Sequence, residues 1–300
     1  MRDVVTIGAS NTFGAVKDKL SQELGSLKDE GFTVFLEEKD CGGIKYIGCN
    51  LDDDDGNLNS RAVFRYYIAK VLSEVIANDL PLTEIPRIIR SNYSHFTEVE
   101  KNEIISRAID LYKSDWLQGN LYRVVKRKNQ IITSLLEYLN LNDEVVLEGF
   151  LRFRLKEFCE ELSAYVDKAV DSYMIDREYE EFVSLLRYFV EIQEPKMGEA
   201  HIVVRSNGLF RILDSHKEVV ITEYLEGFVV DLVQNQVEYE DLLLSALITL
   251  VPTKVIVHLD PKSKVAKTIS QVFAGRSEAC PYWGGSCPLC NYAQVGTGKE

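Results

Sequence analysis

Three hundred residues, 46% of them hydrophobic and 27% charged, suffice for about two domains with sizeable cores and place the chain among ordinary globular proteins. A formal net charge of −13 opposes unaided binding to nucleic acid or to anionic membranes, because like charges raise the cost of approach. No apolar run reaches the roughly 18 residues that span a bilayer, since Leu242 to Val251 is short and interrupted by Ser245 and Thr249.

The first residues, Met1 to Gly8, lack the long hydrophobic core and small-residue cleavage site of a secretory signal, so a cytoplasmic location is expected. Val4 to Ile7 reads as a strand, and Val16, Leu20, Leu24 and Leu27 mark an amphipathic helix after it. The turn between them carries Gly8 and Gly14 but neither a Gly-Lys-Ser/Thr ending nor a G-x-G-x-x-G pattern. The phosphate cradle is therefore missing. Phe32 to Leu36 and Ile44 to Ile47 predict two strands joined by Cys41-Gly42-Gly43, giving a β-α-β-β segment over 1–58. Asp52 to Asn57 resembles a calcium loop. With Gly56 at the sixth position, Leu51 and Ala62 would stand where oxygen donors are required, which excludes an EF-hand.

Residues 59–194 predict a helical block. Phe64, Ile68, Val71, Leu72, Val75 and Ile76 form a broad stripe that ends before Pro81. Thr97-Glu98-Val99-Glu100 fits a capping box, with helix continuing to a break near Gly119 and resuming through Leu139. Arg123-Val124-Val125-Lys126-Arg127-Lys128 is the one basic stretch; on a helix its cations spread around the circumference, the pattern of a solvated face. Leu147, Leu151, Leu155, Phe158, Leu162, Val166, Ala169 and Tyr173 then recur in steps of three and four, with Asn142, Asp143 and Glu144 placed to cap them. A second run, Tyr179, Phe182, Val183, Leu186, Phe189 and Val190, follows Asp176 as N-cap and stops at Pro195. The two runs predict a long helical hairpin packed through these residues.

After Pro195 the pattern turns strand-like at His201 to Val204, Leu209 to Leu213 and Val219 to Ile221, a β-meander with Asn207-Gly208 at its first turn. Helices follow from Thr222 and over Tyr239 to Leu250, then a buried strand at Lys254 to Leu259 and a last helix at Val265 to Phe273. The fold class is therefore α+β: an N-terminal β-α-β-β segment (1–58), a helical block (59–194), an α+β domain (195–279) and a cysteine-containing tail (280–300).

Two stretches resemble a known family. Glu181-Phe182-Val183-Ser184-Leu185-Leu186-Arg187-Tyr188-Phe189-Val190-Glu191-Ile192-Gln193-Glu194-Pro195-Lys196 is similar to the centre of the YtxC-like family of sporulation-associated proteins from endospore-forming bacteria. Tyr239 to Pro252, leading into Lys254 to His258, is similar to that family's C-terminal region. The resemblance implies a cytoplasmic sporulation-associated protein and brings with it no set of catalytic residues.

Chemistry concentrates at Cys280-Pro281-Tyr282-Trp283-Gly284-Gly285-Ser286-Cys287-Pro288-Leu289-Cys290. The six cysteines of a chain expected in a reducing compartment are thiols or metal ligands before they are disulfides. A C-x-x-C turn lets two sulfurs converge on one ion, and zinc takes four tetrahedral ligands with Zn–S of about 2.3 Å. Cys280, Cys287 and Cys290 are thus candidate zinc ligands, with the fourth donor to come from Cys41, Cys49, His258, water or a second chain. A thioredoxin-type centre is disfavoured because Cys287 and Cys290 do not open a helix that would lower a thiol pKa. Among His95, His201, His216 and His258 there is no H-E-x-x-H pattern and no serine elbow. His201 and His258 read as strand packing residues. With no complete catalytic constellation, the expected role is non-enzymatic, through contact with a protein partner of unassigned identity, and the alternative is a zinc-thiolate or redox protein centred on Cys280, Cys287 and Cys290; self-association stays open.

Overall fold

The computed structural model describes residues 3–29, 33–52, 58–117, 121–204, 210–220, 239–282 and 287–290. The turn at Asn207-Gly208, the break near Gly119, the helix from Thr222, the acidic run beyond Asp52 and Gly284-Gly285 lie outside them. Two compact units divide the chain, residues 1–174 and 175–300.

The first unit opens with the expected β-α-β-β order: β1 (Asp3–Ala9), α1 (Phe13–Asp29), β2 (Thr33–Cys41) and β3 (Ile44–Asp52). Gly42 and Gly43 take the positive φ values, 63° and 112°, that the β2–β3 turn requires and that a side chain would resist. Alternation along the strands buries Val5, Ile7 and Ala9 of β1 with Ile47, Cys49 and Leu51 of β3 on one face. Helices α2 (Leu58–Asn78), α3 (Pro81–Asn92), α4 (Glu98–Leu117) and α5 (Leu121–Leu139) follow. Thr97 and Glu100 form the predicted capping box: the Thr97 N–H donates to Glu100 Oε2 at 2.7 Å and the Glu100 N–H to Thr97 Oγ1 at 3.3 Å. Strand β4 (Glu144–Val146) runs parallel to β1, completing a sheet of order β2-β3-β1-β4.

Two expectations about residues 142–194 are corrected here. Glu144 does not cap the following helix; it pairs with Thr6 in the sheet, and α6 spans only Leu147–Arg154. The predicted hairpin is a single helix, α7 (Lys156–Ile192). No glycine or proline lies between Ser172 and Glu178, and an aspartate within a helix costs well under about 1 kcal/mol. A residue that favours caps does not by itself break a helix with good formers on both sides. The N-terminal stripe is otherwise as expected, with Leu147, Leu151, Leu155, Phe158, Leu162, Val166 and Ala169 all buried in the first core.

The second unit contains the rest of α7, then β5 (Met197–Val204), β6 (Phe210–Leu213), α8 (Tyr239–Leu250), β7 (Pro252–His258), α9 (Lys264–Val272) and β8 (Ser277–Ala279). Its sheet has the order β6-β5-β7-β8, antiparallel between β5 and β6 and parallel elsewhere. The meander is present as β5, β6 and a single bridge from Leu213 to Val219. Ala200, Ile202, Ile212, Val255 and Val257 share one core with residues of α8 and α9. His201, Val203, Leu213, Ile256 and His258 alternate with them and so occupy the opposite face. On α7, Val183 and Val190 are buried in this core with Leu186 packed against it, whereas Phe182 and Phe189 are exposed, contrary to the expectation that they form core.

Candidate metal centre

The second sheet builds the site on the face turned away from α8 and α9. β7 is a β-branched strand whose last residue, His258, is only 4% exposed. The chain leaves β8 directly into Cys280, whose N–H donates to the Val257 carbonyl at 3.0 Å and fixes that cysteine beside the end of β7. The turn at 287–290 is held by Leu289, which is buried against Val203 and Leu213 with Cys287 alongside.

These placements bring together one imidazole and three thiols. The ligand atoms of His258, Cys280, Cys287 and Cys290 all lie within 4.8 Å of one another. His258 Nδ1 is 3.3 Å from Cys290 Sγ and 3.6 Å from Cys287 Sγ. Four donors held tetrahedrally about 2.0–2.3 Å from one zinc ion would stand roughly 3.5–3.8 Å apart, so the cluster has the right donor set at a spacing within about 1 Å of that geometry. Of the fourth donors considered from sequence, His258 is the one supplied. Cys49 is buried in the first unit and Cys41 is exposed there.

The protonation states agree with this chemistry. Burial, with His201 and Lys217 nearby, pushes the His258 pKa down to about 4, leaving the ring neutral and able to offer a lone pair. Burial and then the adjoining Cys280 and Cys287 sulfurs push the Cys290 thiol above its ordinary value. A cation among the sulfurs would reverse that penalty, because a bound ion becomes the largest local charge. At Cys287 burial works in the same upward direction, but hydrogen bonds from the Cys290 and Leu289 backbone and from the Cys290 and Cys280 side chains together outweigh it and bring the thiol below its ordinary value.

Behind the donors lies an arrangement that the sequence reading missed. The other nitrogen of His258, Nε2, sits 3.0 Å from His201 Nδ1, and the two rings stack at 5.3 Å. His201 Nε2 in turn faces Glu199 Oε1 at 3.8 Å. If His258 Nδ1 serves an ion, its proton must be on Nε2 and donated to His201, whose own proton then points toward Glu199. The sequence held a usable signal, since His201 and His258 both fall on strands and a parallel register could bring them to one face. The remaining histidines stand apart: His216 is exposed in the Asp214 turn, and His95 rests on Phe96 with ring centroids 4.2 Å apart.

The basic stretch is largely absorbed by the fold. Arg127 is buried and paired with Glu161, and Lys128 meets Glu74 at 2.7 Å. The neighbouring groove of about 1140 Å³ is lined by Arg123, Lys126, Arg127, Arg154 and Lys156 but also by Glu137, Glu157 and Glu161, a mixed surface rather than the single-sign one a phosphate backbone selects. Among the described residues no helix is long and apolar enough to cross a membrane.

Comparison with known proteins agrees with the resemblance seen in the sequence. The pattern of the YtxC-like family matches residues 66–278. The chain belongs to the YtxC-like family. One relative is the "Uncharacterized protein YtxC" of Bacillus subtilis (strain 168), 26% identical over 197 residues, which are 65% of this chain and 69% of that protein. No solved structure matches. The family match includes His201 and His258 and stops before Cys280, so membership alone does not speak to the three thiols.

Proposed function

We propose that this member of the YtxC-like family is a non-enzymatic protein of the sporulating cell's cytoplasm, acting by protein–protein contact, with its C-terminal unit locked by a structural zinc ion. The observation that carries the metal reading is the convergence of His258, Cys280, Cys287 and Cys290 within 4.8 Å. Four protein donors fill a tetrahedral shell and leave no position for a substrate or an activated water, which is the signature of a structural rather than a catalytic ion. Zinc would hold the 287–290 turn to the end of β7, and His258, oriented by His201, would present Nδ1 to it. The cellular setting is supported by family resemblance.

The test is elemental analysis of the full chain purified under reducing conditions, expected to give one zinc per chain. Paired Cys287→Ser and Cys290→Ser replacements should abolish it. Three reduced thiols at 280, 287 and 290 without stoichiometric metal, or zinc retained by the paired variant, would refute the site; a redox-active iron in its place would refute the structural role. The contact reading is tested by capture from sporulating cells with zinc-loaded chain against chelator-stripped chain. A specific partner retained only by the loaded form is expected, and recovery of no specific partner would sink that reading.

A further inference from the structure

On α7, Ile175, Phe182, Leu185, Tyr188, Phe189 and Ile192 are each between 43% and 65% exposed. Five of them fall on one seam: Ile175, Phe182 and Phe189 are seven apart, and Leu185 and Ile192 follow three residues after Phe182 and Phe189. In a heptad written abcdefg these are three a and two d positions, with Glu178 at the remaining d. Tyr188 flanks the seam. The adjacent stripe of Tyr179, Val183, Leu186 and Val190 is committed to the second unit's own core. The helix is therefore apolar over two neighbouring faces, and among the described residues only one of them is packed into a core.

The six exposed side chains present on the order of 700 Å², above the roughly 300–600 Å² of the largest patch on a typical monomer. We infer that this seam is a self-association surface, and that its occupant is the same seam of a second copy of the chain. Pairing it with itself would remove at most about 1,400 Å² from water, which reaches the roughly 1,200–2,000 Å² of a standard specific interface. A heptad face is complementary to another heptad face, and a two-fold axis supplies one without any further requirement on a partner. Arg177 pairs with Glu181 and Arg187 with Glu191 along the helix, each at 2.9 Å; Glu181 flanks the seam and the other three lie on outer heptad positions. They keep the surface soluble without setting a foreign charge pattern for a partner to match.

This deepens the contact reading above by naming the partner, and rests on it. A chain that stayed single yet captured a different protein would sink this inference alone. The experiment is sedimentation equilibrium on the full chain as purified, over a range of concentrations. The native chain should give twice the single-chain mass. Phe182→Glu with Phe189→Glu should give the single-chain mass with unchanged circular dichroism and thermal midpoint. Leu185→Lys and Leu185→Glu should each be monomeric and should associate when mixed, a result that a misfolded variant would not produce. A native chain of single mass at every concentration overturns the inference, as does a dimer indifferent to all four substitutions. So does a monomer in which the thiol introduced by Leu185→Cys resists labelling by peptide mass analysis, which would place the chain's own residues over the seam.

Discussion

Removing either member of the Arg127–Glu161 pair should have unequal consequences. The Arg127 side chain is 6% exposed and Glu161 27%. Arg127 Nε donates to Glu161 Oε2 at 2.9 Å, and Nη2 donates to the other carboxylate oxygen. The guanidinium lies over the Tyr112 ring at 5.0 Å and the Phe158 ring at 5.8 Å. In Glu161→Ala the cation stays buried with its anion gone. Breaking such a pair from the partner's side costs roughly 3–5 kcal/mol, and Glu161's partial exposure argues for the lower end, about 3 kcal/mol. In Arg127→Met the stem's volume is kept between the two rings and the remaining carboxylate can turn to water. The ion pair is lost together with the desolvation penalty of the buried cation, which roughly offset each other, and the ring–cation attraction goes too, about 1 kcal/mol. The assay is urea unfolding of each variant, with the first unit's transition assigned by hydrogen exchange of α5 peptides. Glu161→Ala should lose about three times as much as Arg127→Met. Equal losses, or a larger one for Arg127→Met, would show that the pair is not held in a desolvated site.

Replacing His201 by phenylalanine keeps a ring against His258 but removes its hydrogen-bond partner; zinc affinity in competition with a chelating dye should fall by roughly 10–100-fold, and unchanged affinity would show that His201 does not orient the ligand. Thr97→Ala removes one half of the capping box and should cost about 1 kcal/mol, read as faster hydrogen exchange in the first turn of α4 while α5 is unaffected. Gly8→Ala would place a Cβ 2.8 Å from a Tyr46 ring carbon and 3.1 Å from a Val146 methyl. That overpacking should cost about 1–3 kcal/mol, and adding Tyr46→Ala should recover part of it by emptying the space the methyl needs.

How much of this the sequence revealed depended on the range of the interaction. Local rules worked where one side chain meets a nearby backbone group, as at Thr97 and Glu100, or where a period of two or 3.6 has a single face to bury, as in β1 and the start of α7. They failed in the second half of α7. There the apolar residues occupy two faces, and periodicity cannot say which face the protein's own core will take. Val183 and Val190 were taken; Phe182 and Phe189 were left out. The cap signal at Asp176 failed for a related reason, because a preference for one conformation does not forbid another. At the candidate metal centre the three cysteines stand out by spacing, being close in sequence. His258 stands 22 residues before Cys280 and joins them only because β7 and β8 pair in parallel and the chain leaves β8 beside His258. That pairing is a tertiary fact. His201 is farther still, and it enters through the register that sets Val203 opposite His258.

The same sheet supplies a physical reason why a metal would serve at this place. One face is covered by the helical core, while the face bearing Val203, Leu213 and His258 is met by the short turn at 287–290. Leu289 is that turn's one buried aliphatic anchor, worth roughly 1.5–3 kcal/mol. Fixing four residues costs about 1–2 kcal/mol each in backbone freedom alone, so the anchor by itself falls short. A structural zinc site supplies apparent binding energies on the order of 10 kcal/mol or more, enough to reverse that balance with one ion. The thiols are placed where this matters, two on the turn itself and one where the chain leaves β8, facing a neutral imidazole on the strand between β5 and β8. Among the described residues only Leu289 and Cys287 meet Val203 and Leu213 on that face, and under the proposed reading an ion would take the place of a second hydrophobic layer there. Its removal should therefore release the turn first and leave the α8–α9 side of the sheet folded.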